Sequence, residues 1–413
     1  MKTWQAGKRG AVKDGDPAPH ILVGVTSAQT CLILASRLRA LVDAGFRVSL
    51  VSAPGRMAAH GRKVAGVSTY EIPMARRISP VRDLVALMRI ARLLCRLKPD
   101  IVEFSTPKAG LLGSVVAAIC RVPGRVYFLR GLRLETAPAF KSWILLWSER
   151  VAAACAHVVM VNSRSLRERA IEIGFSIEEK LVLLGEGSSN GVDVGRFSPG
   201  QSMAREELGI PAGARVIGFV GRLTADKGVP ELVEAFAQIL RAEPDSYLLL
   251  VGWFDAAEDA LGLGLRARME GHPRIVCSGY VEDAAPYYRA MDVLVLPSWR
   301  EGFPNAVLEA AASGLPVVAT SCTGSRDAVV PEITGLLVPP GEVAAIAWAV
   351  MRILGDDGLR CKMAEAARRW AVDHFDERFV LSRMVSFYRQ LLESETSKAR
   401  AGNNAITGLS ESL

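Results

Sequence analysis

The chain is predicted to be an α/β protein of two Rossmann-like domains in tandem. Three observations lead there. Short apolar runs alternate with longer stretches of helical periodicity, the order expected of parallel sheets flanked by helices. The 413 residues exceed what one hydrophobic core ordinarily spans, so two units of near-equal size are expected. With 50% hydrophobic and 23% charged residues, the composition is that of a globular protein.

Residues 1–19 are basic, carry Gly and Pro and show no periodicity, and are expected to be a disordered leader. Residues 21–25 read as the first strand, 26–30 as a loop and 32–44 as a helix with Leu34, Leu38 and Leu41 on one face; 46–52 is the next strand. The loop lacks Gly-x-Gly-x-x-Gly, so nothing there indicates a dinucleotide. Residues 76–97 read as an amphipathic helix with Arg76, Arg77, Arg82, Arg89, Arg92 and Arg96 among apolar residues. That suits a surface resting on anionic lipid, or a packed helix with a solvated basic face.

After a strand at 100–105, residues 106–110 lead into a helix at 111–120. Lys108 therefore lies at a strand end and helix start, where an anionic substrate group would be met; a solvated lysine is the alternative. The strand 125–129 delivers Arg130, Gly131, Arg133 and Glu135 to the cleft side, a charge density untypical of a surface turn, with a structural Arg133–Glu135 pair as the alternative. Helices at 143–156 and 166–173 and strands at 158–161 and 180–184 follow. Residues 185–193 are dense in turn formers, and the domain boundary is placed at 195.

The second domain opens with a strand at 215–220 and the loop Gly221-Arg222-Leu223-Thr224-Ala225-Asp226-Lys227-Gly228. Two cations leaving one strand end beside glycines meet the requirements for gripping a diphosphate. Strands at 247–252 and 275–280 and a short helix at 286–291 precede the buried run Val293-Leu294-Val295-Leu296, which Pro297-Ser298 stops at the carboxyl edge of a parallel sheet, where ligands bind. Asn305 reads as an N-cap for a helix of Ala306 to Ala312 whose free N–H groups would attract an anion. Glu301 lies in the loop and Glu309 inside the helix, eight positions later, too far apart by spacing for a close dyad. Each suits hydroxyl donors from a different part of one ligand; solvated acids are the alternative. A loop and helix at 324–327, an edge strand at 335–340 and further helices to 370 follow, then a terminal helix at 376–392.

Glu301-Gly302-Phe303 with Glu309 and the following Gly314-Leu315-Pro316-Val317-Val318 resembles the signature of family 4 of the retaining GT-B glycosyltransferases, the glycosyl transferases of group 1. Asn190-Gly191-Val192-Asp193 followed by Phe197 is similar to that family's handover between domains. The resemblance implies a GT-B fold, two Rossmann-like α/β/α domains facing a central cleft with a C-terminal helix crossing back. The divisions are then 20–195 on the acceptor side, 196–375 for the nucleotide sugar, 376–395 for the crossover helix and 396–413 for a disordered tail. It further implies that Glu301 contacts the donor sugar, Glu309 the ribose, and Arg222 and Lys227 the donor phosphates. Gly221, Gly302, Phe303, Pro304, Asn305, Ala306 and Val307 complete that wall, and Gly252 and Val281 flank the base. On the acceptor side it brings Ser27, Lys108, Arg130, Arg133 and Glu135 towards the cleft. Many members of that family carry His-Gly where this chain has Arg130-Gly131, so a histidine base is not assumed here. A protonated Arg130 cannot serve as a base; it could hold a phosphate of donor or acceptor, or stabilise the leaving group. Glu135 is the alternative base.

The expected activity is retaining, metal-independent transfer of a sugar from a UDP-sugar, with a GDP-sugar as the alternative, and with Arg222, Lys227, Glu301 and Arg130 as the catalytic set. No Asp-x-Asp occurs in a suitable loop, and no cofactor beyond the donor is implied. Residues 1–195 hold 28 Lys and Arg against 15 Asp and Glu, a net +13, while 196–413 hold 22 against 28, a net −6. A basic half fits an anionic membrane and a polyprenyl-diphosphate-linked glycan acceptor in surface polysaccharide assembly. It lacks the aromatic pattern of a nucleic-acid binder. Seven scattered cysteines point to a reduced cytosol, and no apolar segment reaches the roughly 20 residues of a membrane span, so contact at the inner membrane face would be peripheral. A GT-B sugar-nucleotide epimerase and a catalytically silent nucleotide-sugar-binding subunit are the competing readings.

Overall fold

Two parallel sheets of seven and six strands carry the molecule. The computed structural model describes residues 18–55, 61–74, 79–255 and 260–410, with the side chains of 29, 32 and 396–410 excepted. Most of the expected leader, together with Arg76 and Arg77, lies outside the described residues.

The first sheet contains β1 (His20–Val25), β2 (Arg47–Ser52), β3 (Val67–Glu71), β4 (Ile101–Ser105), β5 (Gly124–Leu129), β6 (Val158–Val161) and β7 (Leu181–Leu183), in the order β3-β2-β1-β4-β5-β6-β7. The second contains β8 (Arg215–Val220), β9 (Ser246–Val251), β10 (Ile275–Gly279), β11 (Val293–Leu296), β12 (Val317–Thr320) and β13 (Gly335–Val338), in the order β10-β9-β8-β11-β12-β13. Strand order reverses between β1 and β4 and between β8 and β11, and the crevices beyond the carboxyl ends at such reversals are where open α/β sheets bind ligands. The edge strand β3 has no apolar run and went unread in the sequence; half-exposed residues hold it through backbone pairing to β2.

The longer helices of the first domain are α1 (Ala35–Asp43), α2 (Pro80–Leu97), α3 (Pro107–Ile119), α4 (Ala139–Cys155) and α5 (Arg164–Glu172). The single helix expected over 32–44 is divided: residues Ala28–Leu34 wind as a tighter 3-10 segment, since no side chain caps the start of α1. Helix α3 starts at Pro107 rather than 111, because proline is pre-organised for the first helical position. In the second domain α6 (Val229–Ala242), α7 (Leu263–Glu270), α8 (Asn305–Ala312), α9 (Val343–Leu354) and α10 (Asp357–Phe375) surround one continuous core.

The last helix, α11 (Glu377–Ser410), crosses back as expected. Leu381, Met384, Val385, Phe387, Tyr388 and Leu391 complete the core formed by β1, β2 and α1. Its backbone remains helical to Ser410, past the 396 boundary where a disordered tail was expected. The two places where the chain changes domain lie side by side: the Val192 N–H donates to the Phe375 carbonyl at 2.8 Å and the Glu377 N–H to the Val192 carbonyl at 2.9 Å. Within the first domain, Arg37 of α1, Glu103 of β4 and Tyr388 of α11 form a buried ion pair and hydrogen-bond trio, with the Arg37 Nη2 2.6 Å from the tyrosine oxygen. None of the described helices is long and apolar enough to cross a membrane.

Candidate active site

The carboxyl edges of the two sheets face each other across a cavity of about 240 Å³. The first domain lines it with Thr106, Pro107, Tyr127, Arg130, Gly131, Leu132 and Arg133; the second adds Arg222, Asp226, Lys227, Arg300, Glu301 and Gly302. The expected catalytic set, Arg222, Lys227, Glu301 and Arg130, is therefore brought together from two domains.

On the second-domain wall, the Lys227 ammonium donates to the Glu301 Oε1 at 2.5 Å, and the Ser298 hydroxyl donates to the same oxygen at 2.8 Å. Behind them the buried Asp226 binds two guanidinium groups, Arg222 at 3.2 Å and Arg300 at 2.9 Å, and accepts from the Thr224 hydroxyl at 2.6 Å. Burial alone would raise its carboxyl pKa, but Thr224, Arg222, Arg300 and Lys227 outweigh that and hold it below the usual value. Asp226 thus stays ionised and fixes the cations. Asp255 steadies Arg222 from its other side at 3.3 Å. Neither Asp226 nor Arg300 was singled out in the sequence, although one sits inside the Gly221–Gly228 loop and the other beside Glu301.

The remaining donor-side candidates lie beyond the cavity lining. Asn305 is the first helical residue of α8 rather than its cap; Pro304 holds the cap position and offers no side-chain bond, which leaves the helix start without a side-chain acceptor. Phe303 and Val307 are buried in the second-domain core, Phe303 against Phe375 at 5.2 Å, so their side chains are taken up by packing. Ala306 packs partly buried against that core. Glu309 accepts from the Tyr288 hydroxyl at 2.8 Å, and burial pushes its carboxyl pKa up. Gly221 bonds to the Val251 carbonyl and Gly252 to the Gly279 carbonyl, which sets the ends of β8, β9 and β10 level. Val281 packs partly buried there. Next to them Trp253 and Tyr280 meet edge to face at 5.6 Å, an aromatic pair that attention to backbone positions missed.

The first-domain wall corrects three expectations. Lys108 is bound to Asp83 of α2 at 2.8 and 3.0 Å and ties α2 to α3 rather than lining the cavity. Ser27 lies outside the lining; its neighbour Thr26 does the local work, its hydroxyl 2.6 Å from that of Thr106 and accepting from the Ala109 N–H at 2.9 Å. Glu135 accepts from the Thr323 hydroxyl at 2.7 Å across the domain boundary, and burial raises its carboxyl pKa; it lies outside the cavity lining, in a contact between the domains. Arg130 and Arg133 remain on the wall. All three guanidinium nitrogens of Arg130 are buried without a hydrogen-bond partner, and what exposure the residue keeps lies in its other atoms.

The walls touch at two glycines. A Cβ on Gly302 would stand 1.9 Å from the Arg130 carbonyl oxygen, and one on Gly131 would stand 3.3 Å from the Gly302 nitrogen. Beside this crossing, Asp327 accepts from the Ser165 N–H at 2.8 Å and from its hydroxyl at 2.5 Å, and the Gly324 N–H donates to the Ser165 oxygen at 2.8 Å.

Tyr127, on the lining, donates its hydroxyl to Glu149, which is 3% exposed. Burial raises the Glu149 carboxyl to about 7, although the tyrosine bond opposes it. A folded-state value above the unfolded one contributes stability that is complete below the unfolded pKa and is lost as pH rises through about 7. Glu149→Gln, which mimics the protonated form, should therefore gain on the parent by roughly 1–3 kcal/mol between pH 5 and pH 9. Thermal unfolding across that range checks it; a constant difference would mean that Glu149 does not titrate there.

Comparison with known proteins matches residues 214–356 to the family described as Glycosyl transferases group 1 and residues 34–187 to the Glycosyl transferase 4-like domain. The chain is 32% identical over 376 residues, 91% of its length and 98% of the relative's, to the capsular polysaccharide biosynthesis glycosyltransferase CapM of Staphylococcus aureus. It is 28% identical over 317 residues, 75% of its length and 80% of the relative's, to the UDP-Gal:alpha-D-GlcNAc-diphosphoundecaprenol alpha-1,3-galactosyltransferase of Escherichia coli. Among solved structures, the sucrose-phosphate synthase of Thermosynechococcus elongatus superposes with a TM-score of 0.76 at 24% identity, covering 91% of this chain and 100% of that one.

Proposed function

The chain belongs to the glycosyl transferases of group 1 and has the GT-B fold, and from that premise we propose that it moves a sugar, with retention, from a UDP-sugar to a lipid-linked glycan acceptor in surface polysaccharide assembly. The observation that carries this is the Lys227–Glu301 pair, beside the Asp226-braced Arg222 and Arg300 and opposite Arg130.

The donor diphosphate is received by Arg222, Lys227 and Arg300, with Lys227 exchanging its bond to Glu301 for one to phosphate. Glu301 then accepts from sugar hydroxyls, and Glu309 from the ribose, while the base lies near Trp253 and Tyr280. The bond from anomeric carbon to phosphate oxygen breaks as positive charge grows on the sugar; the cations stabilise the charge left on the diphosphate. Its departing oxygen takes the acceptor hydroxyl's proton, and the acceptor oxygen bonds to the same face of the sugar. Transfer is metal-independent in this reading, since the three cations supply the charge that a metal supplies elsewhere. The name of the E. coli relative, with a UDP-sugar donor and a diphosphoundecaprenol acceptor, supports these choices. Incubation with UDP-hexoses and a synthetic prenyl-diphosphate-linked sugar tests the reading: an α-linked product by NMR is expected, and a β-linked product would sink retention.

The protein works at the cytoplasmic face of an anionic membrane in the same reading. Val81, Leu84, Val85 and Met88 project from one face of α2, and Phe140, Trp143 and Trp147 from α4, with Val81 77% and Phe140 75% exposed. The two helices flank α3, and Arg82, Arg89 and Arg92 are exposed on α2. Aromatic and apolar residues beside exposed arginines are the makeup of an interfacial surface. Sedimentation with anionic vesicles should weaken about tenfold for Trp143→Ser with Trp147→Ser, and by a similar, salt-dependent factor for Arg82→Glu with Arg89→Glu; unchanged binding removes this surface from the account.

A further inference from the structure

We propose that Asp327 and Ser165 form a latch between the two domains, and that the latch, through Gly324, sets Glu301 in place for transfer. They are positioning residues for the reaction. The inference deepens the glycosyltransferase reading and rests on it.

The chain passes between the domains at Val192 and again between Phe375 and Glu377, and the two crossings lie side by side. Adjacent links of this kind leave two domains free to turn about them unless contacts elsewhere fix the angle. One segment of the second domain, just after β12, supplies such contacts. Thr323 donates to the Glu135 carboxylate, Gly324 to the Ser165 hydroxyl and Arg326 to the Glu168 carboxylate, while Asp327 accepts from Ser165. The Arg326–Glu168 pair is exposed on both sides and contributes little.

The Asp327 contact is of another kind. One carboxylate oxygen accepts both the N–H and the hydroxyl of the buried Ser165, at 2.8 and 2.5 Å, and charge-assisted bonds of this sort are the stronger ones. Ser165 lies in the first turn of α5, where the cap residue Ser163 accepts from the Leu166 N–H. The Ser165 N–H therefore finds its acceptor in the other domain.

From Ser165 the contacts lead to the donor loop. Gly324 has a φ of +82°, and a Cβ there would stand 2.1 Å from the Gly302 carbonyl oxygen and 3.1 Å from the Glu301 carbonyl carbon. The latch segment thus lies directly against the backbone that carries Glu301. A second link leaves the end of β12, where the Thr320 hydroxyl donates to the Ser298 carbonyl and the Ser298 hydroxyl in turn donates to Glu301. Arg222 and Arg300 are held by Asp226 instead. Closing the latch therefore acts at the sugar end of the donor, where the bond breaks, and leaves the grip on the diphosphate alone.

The full chain is compared with Asp327→Ala, Asp327→Asn, Ser165→Ala and the double variant Asp327→Ala with Ser165→Ala, on a UDP-hexose and a prenyl-diphosphate-linked sugar. In Asp327→Ala, kcat is expected to fall by about tenfold or more with the Kd for UDP kept within about threefold, and the share of donor lost to hydrolysis should rise as water enters a loosened site. Asp327→Asn keeps an oxygen that can accept both bonds and should return to within about threefold of the parent. The double variant should be slower than Asp327→Ala by no more than about twofold, because both substitutions remove one interaction. Ser165→Ala deletes a single hydroxyl; it should lose about fivefold or more in kcat, and it decides the matter where Asp327→Ala does not fold. Small-angle scattering should give a larger radius of gyration for Asp327→Ala than for the parent, with and without UDP. A smaller fall in kcat, losses that multiply in the double variant, or a UDP affinity that weakens in step overturns the proposal. Absence of transfer by the unaltered chain counts against the glycosyltransferase reading; scattering then decides the latch, and an unchanged radius overturns it.

Discussion

Lys227→Ala is expected to lower kcat/KM for transfer by roughly a thousandfold. The Lys227 side chain is only 19% exposed, and that of its partner Glu301 only 12%, so the charge acts across a poorly screened gap and water cannot replace it cheaply. The loss should divide between donor affinity and turnover. UDP binding weakens because a phosphate contact is gone, and kcat falls further because charge on the diphosphate peaks as the sugar departs. Glu301 keeps the Ser298 hydroxyl, so the loop retains one of its two anchors and the fold should survive. Steady-state kinetics with a calorimetric Kd for UDP would settle it, and a loss under tenfold in kcat/KM would remove Lys227 from the chemistry.

The second large effect is expected at a residue that offers a ligand no side chain. Gly302→Ala would drive a methyl group to within 1.9 Å of the Arg130 carbonyl oxygen and 2.4 Å of its carbon, both backbone atoms that cannot swing aside. The walls would then be held apart by an ångström or more, and misplacement of that size costs on the order of a hundredfold in rate. Arg222, Lys227 and Arg300 keep their partners, so UDP affinity should stay within a few-fold while kcat falls about a hundredfold. Small-angle scattering should show a more open molecule with UDP bound. Normal kcat in this variant would mean that the contact at Gly131 and Gly302 plays no part in catalysis.

Much of this was legible in the residues, for a definite reason. The strands at 158–161, 215–220 and 293–296 match the sequence reading residue for residue, because a strand buried on both faces must be a continuous apolar run. Arg222, Lys227, Glu301 and Gly302 meet in the cavity because each leaves a strand end whose position the pattern already gave. What misled was pairing at a distance. Lys108 and Glu135 carry chemistry suited to a site, yet their partners lie 25 and 188 residues away, and no local pattern reports that Asp83 or Thr323 has claimed them. Arg130 shows the reverse case: the sequence marked a departure from its relatives, and only packing showed that no partner had been supplied. Asp226 was passed over because a loop aspartate between two cations looks like a solvated residue until its burial is known.

The trio of Arg37, Glu103 and Tyr388 also bears on how the protein is made. A ribosome releases residues 20–195 long before it reaches Tyr388, so the nascent first domain emerges with a buried arginine and glutamate lacking the phenol that joins them, and with a groove where Met384, Val385 and Leu391 will later sit. Its core is completed by the last segment translated. The first domain therefore matures only after the second has been synthesised, and a chain cut short before the crossover helix leaves an apolar face on its first domain uncovered.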